Sequence, residues 1–306
     1  MKYHRLALVL VVVMLLAGCG QTPPPASSAG PGESSQTQAA PQEAPDRLVI
    51  GIAQDFDSLD PAKIAAAGTS EVMYNIYHGL INTTPEGQIV PELCENYEVS
   101  EDMLTYTFYL RGDAKFHNGN PVQAEDVAYT YLRMMGRTED QKEPLNAELA
   151  KNIKEIVVQD DATVLFELNQ PSAAFISLCM AGIIPRDSGG DIGTHPVGAG
   201  PYRFESYSPG VGISMTRFED YYGQKPFFPA VDFKIFTDNT TVQLALQQGE
   251  LHIMKFEESV FSYDESKLKL VKQPQNMVQM LAFNHEFEPF SHLEVRQAVN
   301  YAIDKQ

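Results

Sequence analysis

Three carboxylates lie close together near the start of the folded part of the chain. Asp55, Asp57 and Asp60 fall in one short stretch that follows an apolar, strand-like segment. Neighbouring carboxylates can bind a cation or act as general acid and base in hydrolysis. Their spacing differs from the calcium loop of an EF-hand, and aspartates also form Asx turns in loops. We therefore favour a solvated or turn-forming loop and keep hydrolysis as the weaker hypothesis.

Histidines and glutamates near the end of the chain form a second group of possible metal ligands. His285 and His292 lie among Glu286, Glu288 and Glu294. Zinc-binding histidines that share a helix face are spaced four residues apart, which these two are not. We therefore expect exposed polar surface here and predict neither a metal site nor a cofactor.

The chain lacks the motifs that mark several common enzyme classes. It contains no G-x-S-x-G, no P-loop, no H-E-x-x-H and no G-x-G-x-x-G. Its 40 acidic and 22 basic residues give a net charge of −18. Binding to nucleic acid requires clustered Lys and Arg, because phosphates must be neutralised. These observations argue against those enzymes and against a nucleic-acid-binding protein.

The chain has three cysteines, too few for a disulfide scaffold. Cys94 and Cys179 also lack the paired spacing of a zinc site. In an oxidising compartment they can form a disulfide, and two separate buried thiols are an equally good interpretation. The sequence leaves both alternatives open.

The first residues have the anatomy of a secretory signal. Lys2 and Arg5 precede twelve consecutive apolar residues at 6–17. That stretch is too short to cross a bilayer core of ~30 Å, which takes about 20 residues. Residues 16–19 read Leu-Ala-Gly-Cys and resemble the lipobox of bacterial lipoproteins. The resemblance implies removal of residues 1–18 and diacylation of the Cys19 thiol, whereas an ordinary signal peptide is the alternative.

Residues 19–45 predict a disordered tether. Positions 20–45 contain six Pro, four Ser, four Gln and five Ala, with no aromatic or branched aliphatic residue. Such a segment cannot bury enough surface to offset the entropy lost on ordering. Its place between a lipidated cysteine and a folded domain favours a flexible, semi-extended linker.

From residue 46 onwards, strand and helix patterns are mixed. Alternating or β-branched segments predict strands at 47–53, 105–110, 155–159, 162–168, 202–207, 213–217, 231–236, 268–271 and 278–283. Helical periodicity predicts helices at 69–77, 123–135, 172–179, 239–248 and 291–305, the last with a capping box at Ser291 and Glu294. This mixture indicates an α/β (mixed α+β) protein.

Six blocks of sequence together resemble a known family. They are Pro91–Asp102, Thr105–Gly112, Lys115–Val127, Pro196–Tyr202, Gly249–Ile253 and Val295–Asp304. In this order and spacing they are similar to the extracellular solute-binding proteins of family 5, the peptide- and nickel-binding lipoproteins of ABC importers. Tyr97 stands where the family usually has Trp. We expect these signature residues to define the fold, with Arg111 and Asp126 paired across it.

The resemblance implies a periplasmic-binding-protein-like type II clamshell with two lobes. Residues 46–79 and 186–283 would form the first lobe, and residues 80–185 an inserted subdomain. Residues 284–306 would begin the second lobe, most of which lies outside this chain. Because the final helical pattern has no Gly or Pro stop, the sequence also predicts that the reading frame is truncated.

The resemblance also places the ligand contacts in three segments. The first follows the opening strand and comprises Gly68, Thr69 and Ser70. The second follows the Gly249–Ile253 block and comprises Lys255 and Phe256, and the third is a crossing strand that comprises Phe283, Asn284 and His285. Thr69 and Ser70 can instead cap a helix, Phe283 can belong to the core, and Asn284 can bond a hinge backbone group.

The sequence as a whole therefore predicts a monomeric, lipid-anchored receptor on the outer face of a membrane. By resemblance it captures a solute, which we predict to be a peptide, and presents it to a permease driven by a partner ATPase. It performs no chemistry itself. The alternatives are a surface lipoprotein with a structural, adhesive or chaperone-like role, and the binding of nickel or another solute within the same family.

Overall fold

A computed structural model of the chain describes residues 45–255, 264, 266–272 and 281–304. The strands in chain order are β1 (Arg47–Ile52), β2 (Ile81–Thr83), β3 (Ile89–Pro91), β4 (Cys94–Val99), β5 (Thr105–Leu110), β6 (Ile153–Asp160), β7 (Thr163–Leu168), β8 (Tyr202–Ser208), β9 (Gly212–Arg217), β10 (Ala230–Ile235) and β11 (Ile253–Met254). The helices are α1 (Ala67–Met73), α2 (Ala124–Met134), α3 (Ala147–Asn152), α4 (Phe175–Leu178), α5 (Asn239–Gln248) and α6 (Leu293–Ala302).

A five-stranded mixed sheet has the order β11-β1-β10-β9-β8. β1 runs parallel to both β10 and β11, whereas β8, β9 and β10 are antiparallel. Apolar residues of β1 point to both faces, because Val49 packs with Val242 of α5 while Ile50 packs with the cluster around Met73 of α1. A strand buried on both faces reads as a continuous apolar run, as the β1 sequence does.

A four-stranded antiparallel sheet has the order β4-β5-β7-β6 and lies within residues 94–168. The alternation predicted for β5 is confirmed, since Tyr106, Phe108 and Leu110 are buried. α2 covers this face, and its Tyr131 ring stands edge-on to Phe166 with ring centroids 4.8 Å apart. The sheet falls inside the predicted subdomain 80–185, although the domain boundaries themselves stay a prediction.

Two glycines allow the chain to pass closely over the turn that follows α1. A Cβ placed on Gly198 would lie 2.1 Å from the carbonyl oxygen of Ile76, and one on Gly200 would lie 2.5 Å from that of Asn75. Real Cβ atoms do not approach backbone oxygens so closely. The His117 N–H donates to the Gly198 carbonyl at 2.9 Å, so the same segment also contacts the turn before α2.

Most predicted elements are confirmed, and two predicted strands are not. Residues 268–271 and 281–283 have irregular backbone, and residues 278–280 lie outside the described part of the chain. The alternating Leu268 and Leu270 are only half-buried. Alternation shows which side chains face the protein, but a strand also needs a paired neighbour.

The capping box predicted for α6 is wrong. The helix begins at Leu293 with His292 as the N-cap and without a side-chain cap. Ser291 belongs to the preceding turn instead, since its N–H donates to the Phe287 carbonyl at 3.1 Å. α6 has no buried residue, and within the described ranges no helix is long and apolar enough to cross a membrane.

The predicted pairing of Arg111 with Asp126 is also wrong. Arg111 Nε donates to Asp113 Oδ1 at 2.6 Å, and its guanidinium lies 4.1 Å from the centroid of the Tyr222 ring. Asp126 is buried and accepts the N–H groups of Gln123 at 2.9 Å and Arg186 at 3.0 Å. Asp126 thus caps α2, because its carboxylate satisfies an amide that the first helical turn leaves unpaired.

Candidate functional site

The three neighbouring aspartates hold three different parts of the loop between β1 and α1. Asp55 accepts the Gly210 N–H at 2.7 Å and the Tyr207 hydroxyl at 2.9 Å, both at the β8–β9 turn. Slight burial would raise the pKa of Asp55, but hydrogen bonds from Gly210, Phe56 and Tyr207 outweigh it and lower the pKa. Asp55 therefore acts as an anionic anchor of the loop.

Asp57 fastens the entry of α1. Its Oδ2 accepts the N–H groups of Ala65 and Ala66 at 2.7 and 2.8 Å. The Asp57 N–H in turn donates to Thr69 Oγ1 at 3.3 Å. Thr69 is buried in α1, so the structure shows this candidate ligand residue binding the loop that precedes the helix. Its hydroxyl does not cap α1, whose N-cap is Ala66.

Of the two predicted possibilities, a solvated loop or Asx turns, Asp60 fits the turn, since its Oδ1 accepts the Ala62 N–H at 3.1 Å. Asp60 is also buried, and its two oxygens accept Arg133 Nη1 at 3.1 Å and Nη2 at 2.5 Å. Each of the three carboxylates therefore has its own donors, and they do not converge on one position. A hydrolytic site needs its acid and base to face a common substrate position, which this loop does not provide.

The first two predicted ligand segments come together in space. Lys255 follows β11, and its Nζ lies 3.0 and 3.3 Å from the two carboxylate oxygens of Glu71 in α1. Both side chains are more than half exposed, at 57% and 58%. Gly68 and Ser70 on the same helix are exposed, and a Cβ added to Gly68 would meet no atom within 4 Å. The helix and the strand end thus border an open surface that carries charge.

In the third predicted segment, Phe283 and Asn284 contact residues that are close to them in sequence. Asn284 Oδ1 accepts the Glu286 N–H at 3.0 Å, and the Phe283 ring packs on Phe290 with centroids 5.0 Å apart. His285 is exposed. The contacts described for Phe283 and Asn284 stay within residues 283–290, and Phe256 lies outside the described residues. Glu71 was not foreseen as part of the site, because nothing in its sequence context pairs it with a residue so far along the chain.

The remaining histidine and cysteine candidates have local explanations. His292 Nε2 lies 3.2 Å from Glu288 Oε1 on exposed surface. In the described ranges, no three His, Cys, Asp or Glu side chains are placed to hold a metal ion. Cys94 and Cys179 are free, buried thiols. Burial raises the pKa of Cys94 to about 11, and it raises the pKa of Cys179 further.

A buried polar cluster lies directly after α1 and was missed by the sequence analysis. Glu92 accepts the Tyr74 hydroxyl, the Gly79 N–H at 3.0 Å and Asn82 Nδ2 at 3.3 Å. His78 Nδ1 lies 3.5 Å from Glu92 Oε1. Burial raises the pKa of Glu92 to about 7 and lowers the pKa of His78 to about 3. The sequence signal that could have revealed this cluster is Glu92, an acidic residue between Pro91 and Leu93 just ahead of a strand.

Comparison with protein families gives one clear match. A model described as bacterial extracellular solute-binding proteins, family 5 Middle, matches residues 88–306. The glutathione-binding protein GsiB of Salmonella choleraesuis (strain SC-B67) is 32% identical over 286 residues, which are 90% of this chain and 55% of that protein. The chain therefore spans about half the length of the curated relatives that it matches.

Solved structures agree with the fold and with the partial coverage. The binding protein AgaA from A. tumefacien R10, in complex with agropinic acid, has a TM-score of 0.70 and 32% identity, covering 84% of this chain and 54% of AgaA. DppA from Helicobacter pylori, in complex with the peptide STSA, has a TM-score of 0.63 and 27% identity, covering 68% of this chain and 46% of DppA. These neighbours are two-lobe periplasmic binding proteins, which confirms the predicted fold class.

Proposed function

Because the chain belongs to the bacterial extracellular solute-binding proteins of family 5, we propose that it captures a peptide or a peptide-like solute such as glutathione. It then delivers the solute to the permease of an ABC importer. The solutes named for the similar proteins, glutathione and the peptide STSA, support this substrate class. A nickel complex is the alternative within the same family, since NikZ from Campylobacter jejuni holds Ni(L-His).

One observation of this chain carries the proposal. Gly68, Ser70 and Lys255 border an open surface, and the Glu71–Lys255 ion pair joins two segments that are far apart in sequence. A bound solute must approach the protein surface closely, and at Gly68 no side chain covers the backbone of α1. Glu71 and Lys255 offer one charge of each sign, which suits the ammonium and carboxylate groups of a peptide.

We also propose that the protein is anchored by a lipid on Cys19, with residues 20–45 as the tether. Two acyl chains on one thiol are enough for stable attachment to a membrane. The acidic net charge of −18 keeps the folded part away from anionic headgroups. The tether then lets the binding domain meet both free solute and the permease.

Calorimetric titration of the full chain with glutathione, the tetrapeptide Ser-Thr-Ser-Ala and Ni(L-His) tests the proposal. The variant Gly68→Phe places a ring in the open space at α1, and we expect it to weaken peptide binding at least tenfold. The matched control is Gly112→Phe, because Gly112 is also exposed with no atom within 4 Å of an added Cβ. The control should bind with the affinity of the wild type.

Two results would contradict this function. If the folded wild-type protein gives no saturable heat with any of the three solutes, solute capture is wrong and a structural surface role is favoured. If only Ni(L-His) binds, the peptide class is wrong and the nickel alternative replaces it. Equal binding by Gly68→Phe and the wild type would place the site elsewhere.

A further inference from the structure

The loop from Ala53 to Ala66 has no helix or strand, yet it leads directly into α1. Asp55 holds its beginning to the β8–β9 turn, and Asp57 holds its end to the start of α1. Asp60 holds its middle to α2, the helix that covers the four-stranded sheet. Among these three carboxylates, Asp60 is the one that joins the loop to the helix packed on the four-stranded sheet.

The contact between Asp60 and Arg133 has a fixed geometry. Asp60 is 2% exposed and Arg133 is 4% exposed. Their two parallel hydrogen bonds, at 3.1 and 2.5 Å, use the planar fork of the guanidinium. Asp60 Oδ1 also accepts the Ala62 N–H at 3.1 Å, so the same carboxylate sets the backbone of its own loop.

The neighbours of the pair strengthen this geometry. Arg133 Nε has no hydrogen bond in the described part of the chain, but it lies 3.7 Å from Asp140 Oδ2. Lys63 Nζ lies 3.7 Å from Asp60 Oδ2. On the side of α1, the Tyr77 hydroxyl donates to the Leu59 carbonyl at 3.1 Å. The middle of the loop is therefore held from both sides.

A buried ion pair is weak evidence for a stabilising role, because removing both ions from water offsets most of their attraction. Its clearer physical effect is to permit one arrangement of the groups that it joins. Here those groups are α2 and the loop that leads into Gly68 and Ser70. Moving Asp60 would move the loop, and with it the Asp57 contacts that set the entry of α1.

We infer that Asp60 and Arg133 are positioning residues for solute binding, which fix the ligand-facing end of α1 relative to α2. This inference rests on the proposed function, since it assigns the solute to the surface around Gly68. It predicts that Arg133, in the helix packed on the four-stranded sheet, influences the affinity for the solute without touching it. Neither Asp60 nor Arg133 is exposed enough to contact a ligand itself.

The test separates positioning from simple loss of stability. Asp60→Asn keeps the shape of the side chain but removes its charge, and Leu149→Ala serves as the matched control. Leu149 is fully buried in α3, and its truncation leaves a cavity that lowers the melting temperature without touching the loop. Titration with glutathione and Ser-Thr-Ser-Ala should show an affinity loss of at least tenfold in Asp60→Asn and wild-type affinity in Leu149→Ala.

Hydrogen exchange provides a second readout that does not depend on a ligand. The amides of Ala65 and Ala66 are hydrogen-bonded to Asp57. They should exchange at least tenfold faster in Asp60→Asn than in the wild type, and at the wild-type rate in Leu149→Ala. If Asp60→Asn does not fold, Arg133→Lys replaces it. Lysine keeps the positive charge but cannot hold both carboxylate oxygens in a fork, so a smaller change in the same direction is expected.

The outcomes distinguish this inference from the proposed function. Wild-type affinity and wild-type exchange in Asp60→Asn or Arg133→Lys would overturn the inference, as would an affinity loss in Leu149→Ala that follows its melting temperature. If the wild type binds none of the solutes while the loop amides exchange faster only in the Asp60 variant, the proposed function fails and the positioning of α1 stands.

Discussion

Single carboxylates in this protein differ in role according to what surrounds them. Asp55 and Asp57 are exposed and hydrogen-bonded, and in both the bonds outweigh desolvation and lower the pKa. Asp60 is buried and forms a two-pronged ion pair with the Arg133 guanidinium. Glu92 is buried with three hydrogen-bond donors and without an Arg or Lys ion pair in the described contacts, so desolvation dominates and raises its pKa. The role of each carboxylate therefore depends more on its burial and its hydrogen-bond partners than on whether it is Asp or Glu.

The raised pKa of Glu92 predicts a pH-dependent stability. Its ordinary pKa is 4.5 and its folded pKa is about 7. Between these values the native state holds a proton that the unfolded state has released, so stability falls as pH rises through this interval. The loss approaches roughly 3 kcal/mol for one fully shifted proton, at about 1.4 kcal/mol per pH unit. Glu92→Gln keeps the shape but has no proton to release.

The measurement is urea unfolding of the wild type and Glu92→Gln from pH 4.5 to 8. The free energy of unfolding of the wild type, minus that of Glu92→Gln, should decline as pH rises and level off above pH 7. Burial lowers the pKa of His78 to about 3 and that of His117 to about 4, which makes both proteins more stable as pH rises towards 6.5. His78 contacts Glu92, but the folded pKa values of both histidines lie below pH 4.5, so both folded proteins hold them neutral across the range and the histidine effect cancels in the difference. A difference that is flat with pH would show that Glu92 is ionised in the native state.

At the scale of elements, close approaches of backbone join the two sheets. The segment Pro196–Tyr202 passes over the turn that follows α1, where the Gly200 N–H donates to the Ile76 carbonyl at 2.8 Å and the Tyr202 N–H to the Asn75 carbonyl at 2.9 Å. From the other side, His117 donates to Gly198. Such bonds between main chains demand small residues at the crossing, which explains the two glycines.

Gly198→Ala should therefore be destabilising by about 1–3 kcal/mol, the usual range for an overpacked site. Its methyl group would meet the Ile76 carbonyl oxygen at 2.1 Å, so the segment must shift. Thermal unfolding measures the effect. Gly190→Ala is the control, because a Cβ there meets no atom within 4 Å and the residue is exposed. Equal melting temperatures for the two variants would show that the crossing relaxes without cost.

At the scale of the whole molecule, the chain is a family 5 solute-binding protein that spans about half the length of its curated relatives. Its described helices include α6, which has no buried residue and exposes Tyr301 and Leu293. Both sheets, by contrast, have well-buried cores on the faces that α1 and α2 cover. The buried cores of the described part of the chain thus lie in the two sheets, next to α1 and α2.

The anchoring proposal also belongs to this scale. Cys19→Ser removes the thiol that would be acylated, so we expect the protein to move from the membrane fraction of its host to the soluble or secreted fraction. Fractionation with immunodetection measures the change, and metabolic labelling with a fatty-acid analogue reports the lipid directly. Cys94→Ser is the control, since Cys94 is buried in the fold. If the Cys19→Ser variant stays in the membrane fraction and still carries the fatty-acid label, the anchoring proposal is wrong.

The sequence by itself determined the family, the mixed α/β class and most of the elements. Periodicity is a local property, so α2, α5 and most strands of the two sheets could be predicted from apolar spacing alone. The strands β4 and β11 were not predicted. Local patterns also led to errors where a partner decides the outcome. The segment 268–271 alternates without forming a strand, and Ser291 closes a turn where a capping box was expected.

Only the tertiary structure decided how the polar residues are used. Asp60 pairs with Arg133 across 73 positions, and Lys255 pairs with Glu71 across 184 positions. Neither sequence pattern nor propensity selects between the many possible charge partners at such separations. The expected pairing of Arg111 with Asp126 was wrong for this reason, since each found nearer partners once the apolar faces had packed. The packing of those faces brings distant polar groups together, and a one-dimensional pattern does not contain that information.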